Sequence, residues 1–451
     1  MNTGVNNMAG TGENSTKSKN KISLSNSLTK YLHDTVLPRR REIHEVHRAL
    51  IRRIIGPILR KISELDDRFQ SECEGLLNET CESFVGVNHC QYYKVDIAVV
   101  LSNLLSSKCL EKSSQEPLLQ GQQPAAFLDS AACDNPYISP LSGFGYVLAD
   151  TEKLLLHDLL SIKQDEVSSA QHDDVSFSNR SFLSPGKVVK RFANLVEESV
   201  EILLEECIWE EEPTVYEISV KREGHLVRLH VILRGEEYTI ELIPALELNG
   251  WWPKSLQNWG PECAARPNQW LDYARMSKVK NKFHVFPARP PPGHDAFRLW
   301  CTYFSLSEKV LARTVIEDDF PEVSCRAPIL LTMLSLCEEN SEEFYPITPR
   351  IITTAFLHQC TQYPLQDDWT PNKLGRAFVD LFLSLIDMLK SGTCNHYFLP
   401  SFNILDNSED LKPVAHHLKA ILNDIVENPN KTQFLHLNHK PKSRAGNTGI
   451  R

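Results

Sequence analysis

Between residues 215 and 246 the chain reads as three consecutive strands, and no other stretch constrains the fold as tightly. Val215–Val220, His225–Leu233 and Glu237–Leu246 are rich in β-branched and aliphatic residues. Gly224 and Arg234-Gly235-Glu236 fall between them as turn sites, because glycine reaches the backbone angles that tight turns demand. From Leu306 onward helical periodicity takes over, most clearly in Ile351–Cys360 and Leu374–Leu389. Sheet first and helices afterwards predicts an α+β chain, a mixed β-sheet lobe followed by a helical lobe.

Upstream, Leu24–Asp66 predicts a long N-terminal spine helix, interrupted or begun afresh around Pro38. Ile43, Val46, Leu50, Ile54, Ile58, Ile62 and Leu65 recur at mostly three- or four-residue intervals along it. Gly56-Pro57 predicts a bend, since Pro57 lacks an amide donor and crowds the preceding turn. Lys94–Leu101 predicts a strand with Val95, Ile97, Val99 and Leu101 on one face and Lys94, Asp96, Ala98 and Val100 on the other. Short strands are expected around Gly145–Leu148. Ser184-Pro185-Gly186 opens a helix with Val188, Val189, Phe192, Leu195 and Val196 on its apolar side. Glu197–Glu212 is strongly acidic and reads as a solvated face.

The chain is 41% hydrophobic and 24% charged, within the range of globular proteins. No apolar run approaches the roughly 20 residues that cross a bilayer, so no membrane partner is expected. Residues 1–22 are polar and read as a disordered tail rather than a signal peptide, and residues 431–451 as a flexible tail. Between them, residues 23–299 are expected to form the spine helix and sheet core, and residues 300–430 the helical lobe. Twelve cysteines lie between Cys73 and Cys394 without a disulfide framework, which points to reduced thiols and a cytoplasmic or nuclear location. A net charge of −10 works against a general polyanion binder while leaving room for a local basic face.

Several separated blocks carry a resemblance. Phe297-Arg298-Leu299-Trp300 leads into Phe304-Ser305-Leu306-Ser307-Glu308-Lys309. Ala355–Cys360 follows, with Pro364 and Trp369 behind it, and then His396-Tyr397-Phe398-Leu399-Pro400 continues to Leu405. Their order and spacing resemble the C-terminal half of the cyclic GMP–AMP synthase and male-abnormal (Mab-21) family. The likeness extends roughly from Leu32 to Pro429 and is also strong at Ser184–Glu197 and Tyr238–Pro253. It implies a nucleotidyltransferase-like fold. Enzymes of this kind hold Mg²⁺ with two carboxylates two residues apart on one strand and a third on a neighbouring strand. Here Lys94-Val95-Asp96 stands where the pair would be, and Glu241 stands at the third acid. Asp96 and Glu241 are therefore the candidate catalytic and metal-binding residues. Lys94 replaces the first acid, neutralises Asp96 and repels a divalent ion, yet it suits direct contact with a nucleotide phosphate. Phe84–Asn88 lacks the Gly-Ser pair of the enzymes. The plainer alternative is a Lys94–Asp96 ion pair beside an edge-exposed Glu241.

Arginine recurs along the spine, and Arg48, Arg52 and Arg60, at four- and eight-residue separations, form its candidate RNA-contacting side. Glu42, Glu45, Glu64, Asp66 and Asp67 interleave with or follow that cluster. The DNA-sensing relatives imply a zinc-held insertion, but here only Cys325 and Cys337 fall in that region, with no histidine from Val310 to Leu357. No zinc thumb is expected. Thr353 stands where the DNA-sensing relative presents a basic residue, so no DNA preference is expected, and double-stranded RNA is less expected than a protein partner. Trp251-Trp252-Pro253 and Trp259 either seal a junction between lobes or anchor a partner, and His396 reads as structural. The resulting expectation is a regulatory or protein-interaction member of the family with a degenerate nucleotidyltransferase site, engaging a protein partner or a second copy. The alternative is a cyclic-dinucleotide-producing enzyme that uses ATP or GTP with Mg²⁺ or Mn²⁺ under double-stranded RNA activation.

Overall fold

A computed structural model describes residues 24–71, 94–105, 125–129, 144–150, 158–161, 180–206, 208–209, 215–233, 235–249, 270–271, 276, 279, 282–290, 298–304, 307–308, 311, 324–405 and 411–429. The tails, Phe84–Asn88, the acidic stretch beyond Trp209 and the Trp251–Trp259 block lie outside the described residues. Two compact units emerge, one of residues 40–314 with 395–402 and one of residues 1–39, 315–394 and 403–451.

The first helix, α1, runs through residues 24–65. The interruption expected around Pro38 is a π-turn at Leu32–Val36, after which the α-helix begins afresh at Leu37 while the helical course continues. A proline withholds one amide donor and its ring crowds the carbonyl four residues back. At both prolines the helix widens for one turn instead: the Leu37 amide donates to Leu32 O, and the Gly56 amide to Ile51 O. Pro57 leaves the carbonyl of Arg53 without its usual amide, and the Trp209 indole supplies the donor at 2.9 Å. The Gly56-Pro57 feature is thus a π-turn with an outside hydrogen bond.

The larger unit is built on a mixed sheet. Its strands are β1 (Lys94–Val100), β2 (Ala125–Asp129), β3 (Phe144–Asp150), β4 (Leu160–Ser161), β5 (Arg180–Leu183), β6 (Val215–Glu223), β7 (Leu226–Leu233), β8 (Glu236–Asn249), β9 (Lys282–Pro287) and β10 (Leu299–Tyr303). The order is β4-β5-β3-β10-β9-β8-β7-β6, with β1 parallel to β8 and β2 on β3. Gly224 and Gly235, at φ of 60° and 81°, make the turns from β6 to β7 and from β7 to β8, where a side chain would be strained. Helix α2 (Pro185–Glu205) begins as expected: Ser184 Oγ accepts from the Lys187 amide, and Pro185 occupies the first turn.

Alternation gives this sheet two different faces. Val95, Ile97 and Val99 of β1, Val227, Leu229 and Val231 of β7, and Ile240 and Leu242 of β8 form one core with Ile54, Ile58 and Ile62 of α1 and Val188, Phe192 and Leu195 of α2. Each such aliphatic side chain contributes on the order of 2 kcal/mol when taken fully from water. The residues between them point to the other face, which carries the charged groups described below. Phe304 and the 395–402 segment belong to this unit too. His396 Nδ1 accepts from the Phe398 amide at 3.1 Å, His396 Nε2 lies 3.3 Å from Glu308 Oε1, and the rings of Phe304, Phe398 and Phe402 surround it.

The other unit is helical. It contains α3 (Arg326–Glu339), a single turn α4 (Ser341–Phe344), α5 (Pro349–Gln362), α6 (Leu374–Ser391) and α7 (Lys412–Glu427), with the first part of α1. Tyr31 and Arg39 of α1 both reach Glu339 of α3, at 2.9 and 2.8 Å. Helix α6 ends on Gly392 in the left-handed conformation, the usual helix stop.

Candidate functional site

The register of three strands decides the site. Asp96 on β1 lies opposite Glu241 on β8, and Glu241 lies opposite Arg228 on β7. Arg228 in turn opposes Lys221 on β6. Lys94 sits two residues before Asp96 and Glu223 two after Lys221, so both share the same face. Six charged side chains thus form one ladder across four strands.

Arg228 is its central member. Its Nε and Nη2 donate to Glu241 Oε1 at 3.2 and 2.6 Å, and its Nη1 reaches Glu223 Oε2 at 2.5 Å. Lys94 Nζ takes the other oxygen of Glu241 at 3.1 Å and lies 3.7 Å from Asp96 Oδ1. Lys221 pairs with Glu223 at 2.9 Å. The plainer alternative for this site needs correction: Glu241 is buried on a strand flanked by β7 and β1, not exposed at an edge, and Lys94 pairs more closely with it than with Asp96. The sequence reading missed Arg228, although the signal was present. In a hairpin turning on Arg234-Gly235, cross-strand partners have residue numbers with a constant sum, which sets Arg228 against Glu241.

The two carboxylates differ in protonation. Burial pushes Asp96 up to about 7, with Lys94 opposing this and the nearby Glu241 charge adding to it. Burial also acts on Glu241, but hydrogen bonds from Arg228 and Lys94 outweigh it and hold the carboxyl below its usual range. Burial keeps the neighbouring His225 imidazole below its ordinary value, the Glu241 charge only partly offsetting this.

These residues do not fit a pair of divalent ions. Mg²⁺ requires a near-octahedral set of oxygens. Both oxygens of Glu241 are committed to cations, and burial disfavours the charged form of the remaining acid, Asp96. Among the six charged side chains of the ladder, Asp96 Oδ1 is the buried atom without a hydrogen bond. Among the described residues, no group of three or more His, Cys, Asp or Glu side chains is placed to hold a metal.

A pH dependence follows. The Asp96 carboxyl moves from its ordinary 3.8 to about 7 on folding, so the folded chain keeps a proton that the unfolded chain releases across that window. Its contribution to stability therefore falls as pH rises from about 4 to 7 and levels off above. Glu241, held low, acts only below its ordinary range, where its stabilisation is lost. The stability advantage of Asp96→Asn over the parent is expected to grow by on the order of 2 kcal/mol between pH 5 and pH 8. Denaturation curves at the two pH values read this directly, and a gap that stays constant contradicts the assignment.

The other expected site residues are dispersed. On α1, Arg52 and Arg60 are exposed, while Arg48 is partly covered and bonds Glu45 at 3.4 Å. Next to Arg60, Lys61 is committed to Glu64 and Glu206, each at 3.0 Å. Cys325 and Cys337 are both buried, one capping α3 and the other near its end, about 18 Å apart along the axis and unable to share an ion. Thr353 is wholly buried and donates to Pro349 O at 2.9 Å, so that turn of α5 faces the core and not a ligand. Among the described residues no helix is long and apolar enough to cross a membrane.

Comparison with known proteins agrees with this architecture. The Mab-21 protein nucleotidyltransferase domain matches residues 135–313, and the Mab-21 protein HhH/H2TH-like domain matches residues 325–426. The first match includes Arg228 and Glu241 but begins after Lys94 and Asp96, whose place rests on the pairing of β1 with β8. Cyclic GMP-AMP synthase of Mus musculus is 27% identical over 234 residues, which cover 49% of this chain and 43% of the relative. Protein mab-21-like of Aedes aegypti is 26% identical over 231 residues, covering 49% and 56%. The cyclic GMP-AMP synthase of Sus scrofa is 27% identical over 252 residues, covering 52% and 48%. The chain spans about half the length of the curated relatives it matches. With a mixed-sheet lobe, a helical lobe and both domain models in sequence, the chain belongs to the Mab-21 family, related to the cyclic GMP–AMP synthase-like nucleotidyltransferases.

Proposed function

We propose that this chain is a regulatory or protein-interaction member of the Mab-21 family whose nucleotidyltransferase site has become an ionic ladder. The observation that carries the reading is the double commitment of Glu241, to Arg228 at 2.6 Å and to Lys94 at 3.1 Å. An ammonium where metal chemistry needs a carboxylate removes a ligand and adds a charge of the wrong sign. Lys94, a third exposed, is the member of the ladder proposed to meet a nucleotide phosphate. Protein partners are favoured over polyanions because α1 packs along α2, whose outer side carries Glu197, Glu198, Glu201, Glu205 and Glu206. Those charges oppose phosphates approaching Arg52 and Arg60.

The test is direct. Purified protein incubated with ATP, GTP and Mg²⁺ or Mn²⁺, alone and with double-stranded RNA or DNA, is expected to yield no cyclic or linear dinucleotide by mass spectrometry. A product that vanishes in both Asp96→Asn and Glu241→Gln proteins restores the synthase reading.

A further inference from the structure

We propose that the exposed C-terminal half of α2 is a docking surface for a basic, amphipathic segment of a partner protein. The inference rests on the interaction reading above and names the chemistry of the partner. Leu204 is 50% and Ile208 47% exposed, and among the described residues of the sheet unit these are the large hydrophobic side chains left open to water. Leu204 stands on the last turn of α2 and Ile208 in the turn that follows, where its amide donates to Leu203 O at 3.2 Å and so keeps it at the same end of the helix. Asn194, Glu197, Glu198, Glu201 and Glu205 are exposed positions of the same helix as Leu204.

The charge order on this helix is the reverse of what its dipole favours. Lys187, Lys190 and Arg191 lie in the first two turns, and four glutamates follow toward the C-terminal end, where the backbone carbonyls already concentrate negative potential. Glu197 and Glu201 are four apart, as are Glu201 and Glu205, so like charges also repel along the face. Lys61 of α1 meets Glu206, one residue past the end of the helix, at 3.0 Å and serves Glu64 as well. A cation brought from outside to the exposed Glu198 and Glu201 stabilises a helix built this way. Two exposed aliphatic groups beside that acidic run specify a partner with large apolar residues among its lysines or arginines. The same potential repels nucleic acid and acidic lipid surfaces, so a polypeptide is the occupant that fits.

The probe is a labelled synthetic helix of about 18 residues with leucines on one face and lysines on the other, long enough to hold helical structure. Two controls replace all its lysines by glutamate or all its leucines by serine. Fluorescence anisotropy with the full chain is expected to show saturable binding that weakens with salt and is lost with either control. Glu198→Lys/Glu201→Lys and Leu204→Ser/Ile208→Ser proteins are each expected to bind about tenfold more weakly, or about 1.4 kcal/mol. Glu236→Lys/Glu237→Lys, at the exposed turn into β8, is expected to bind like the parent. The glutamate variant relieves repulsion, so its melting temperature is expected to equal or exceed that of the parent, which separates lost docking from lost folding. Absent binding, or an equal loss in the Glu236/Glu237 variant, overturns the proposal. Dinucleotide synthesis is scored separately. A chain that makes no product and ignores the peptide keeps the interaction reading and loses this surface, whereas product with peptide binding does the opposite.

Discussion

Arg228→Ala is expected to cost about 3 kcal/mol at pH 7, near the range seen when one partner of a buried ion pair is removed. Arg228 supplies two of the three cationic contacts on Glu241 and a contact to Glu223 as well. Its loss leaves Glu241, 5% exposed, with Lys94 alone and with Asp96 adding repulsion. In a unit of this size the unfolding midpoint falls by about 5 °C. Arg228→Lys is expected to recover less than half of the loss, because an ammonium cannot span two carboxylates as the planar guanidinium fork does. Adding Glu241→Gln to Arg228→Ala removes the stranded charge and is expected to restore part of the stability. Denaturation of the parent, Arg228→Ala, Glu241→Gln and the double variant, followed by circular dichroism, completes the cycle. An Arg228→Ala loss below 1 kcal/mol marks the ladder as a solvated surface network and removes its claim to replace a metal site.

Much of the fold was legible because it rests on periodicity. The alternation of Val95, Ile97 and Val99 and the intervals of Ile54, Ile58 and Ile62 report burial directly, and those residues are buried where the pattern places them. Ser184-Pro185 marked a helix start for a local reason that survives folding, a side-chain cap and a pre-set backbone angle. Pro38 and Pro57 marked disturbances of the helix but not the form these take, a π-turn before each. A proline's cost depends on whether the turn before it can widen, and for Pro57 also on a donor, Trp209, that is remote in sequence. The site was half legible. Lys94, Asp96 and Glu241 announce themselves on strands, but their pairing depends on β1 lying parallel to β8, and no local pattern fixes a parallel register. Arg228 was hidden in plain view, one of two polar residues with His230 in an otherwise apolar strand, given meaning only by counting back from Gly235.

Calorimetric titration with ATP is expected to give binding that EDTA changes by less than twofold and that Lys94→Ala weakens about tenfold, or about 1.4 kcal/mol. The reason lies in which charges of the ladder are available. Glu241 holds Arg228 inward, and Lys221 and Glu223 satisfy one another, while Lys94 is a third exposed and free to share its ammonium between Glu241 and an incoming phosphate oxygen. A charge-assisted hydrogen bond of this kind is worth about 1.5–3 kcal/mol, enough to produce the tenfold change. Asp96 adds a second signature. Below about pH 7 it is protonated and does not repel phosphate; above, its charge develops beside the same pocket. ATP affinity is therefore expected to fall between pH 6 and pH 8 in the parent and to fall less in Asp96→Asn. Binding that collapses on chelation means that Asp96 and Glu241 still recruit a divalent ion, and the inverted site is then wrong. No detectable heat or displacement at any pH removes nucleotide from the proposal. It leaves a ladder that only stiffens the sheet beneath an interaction surface.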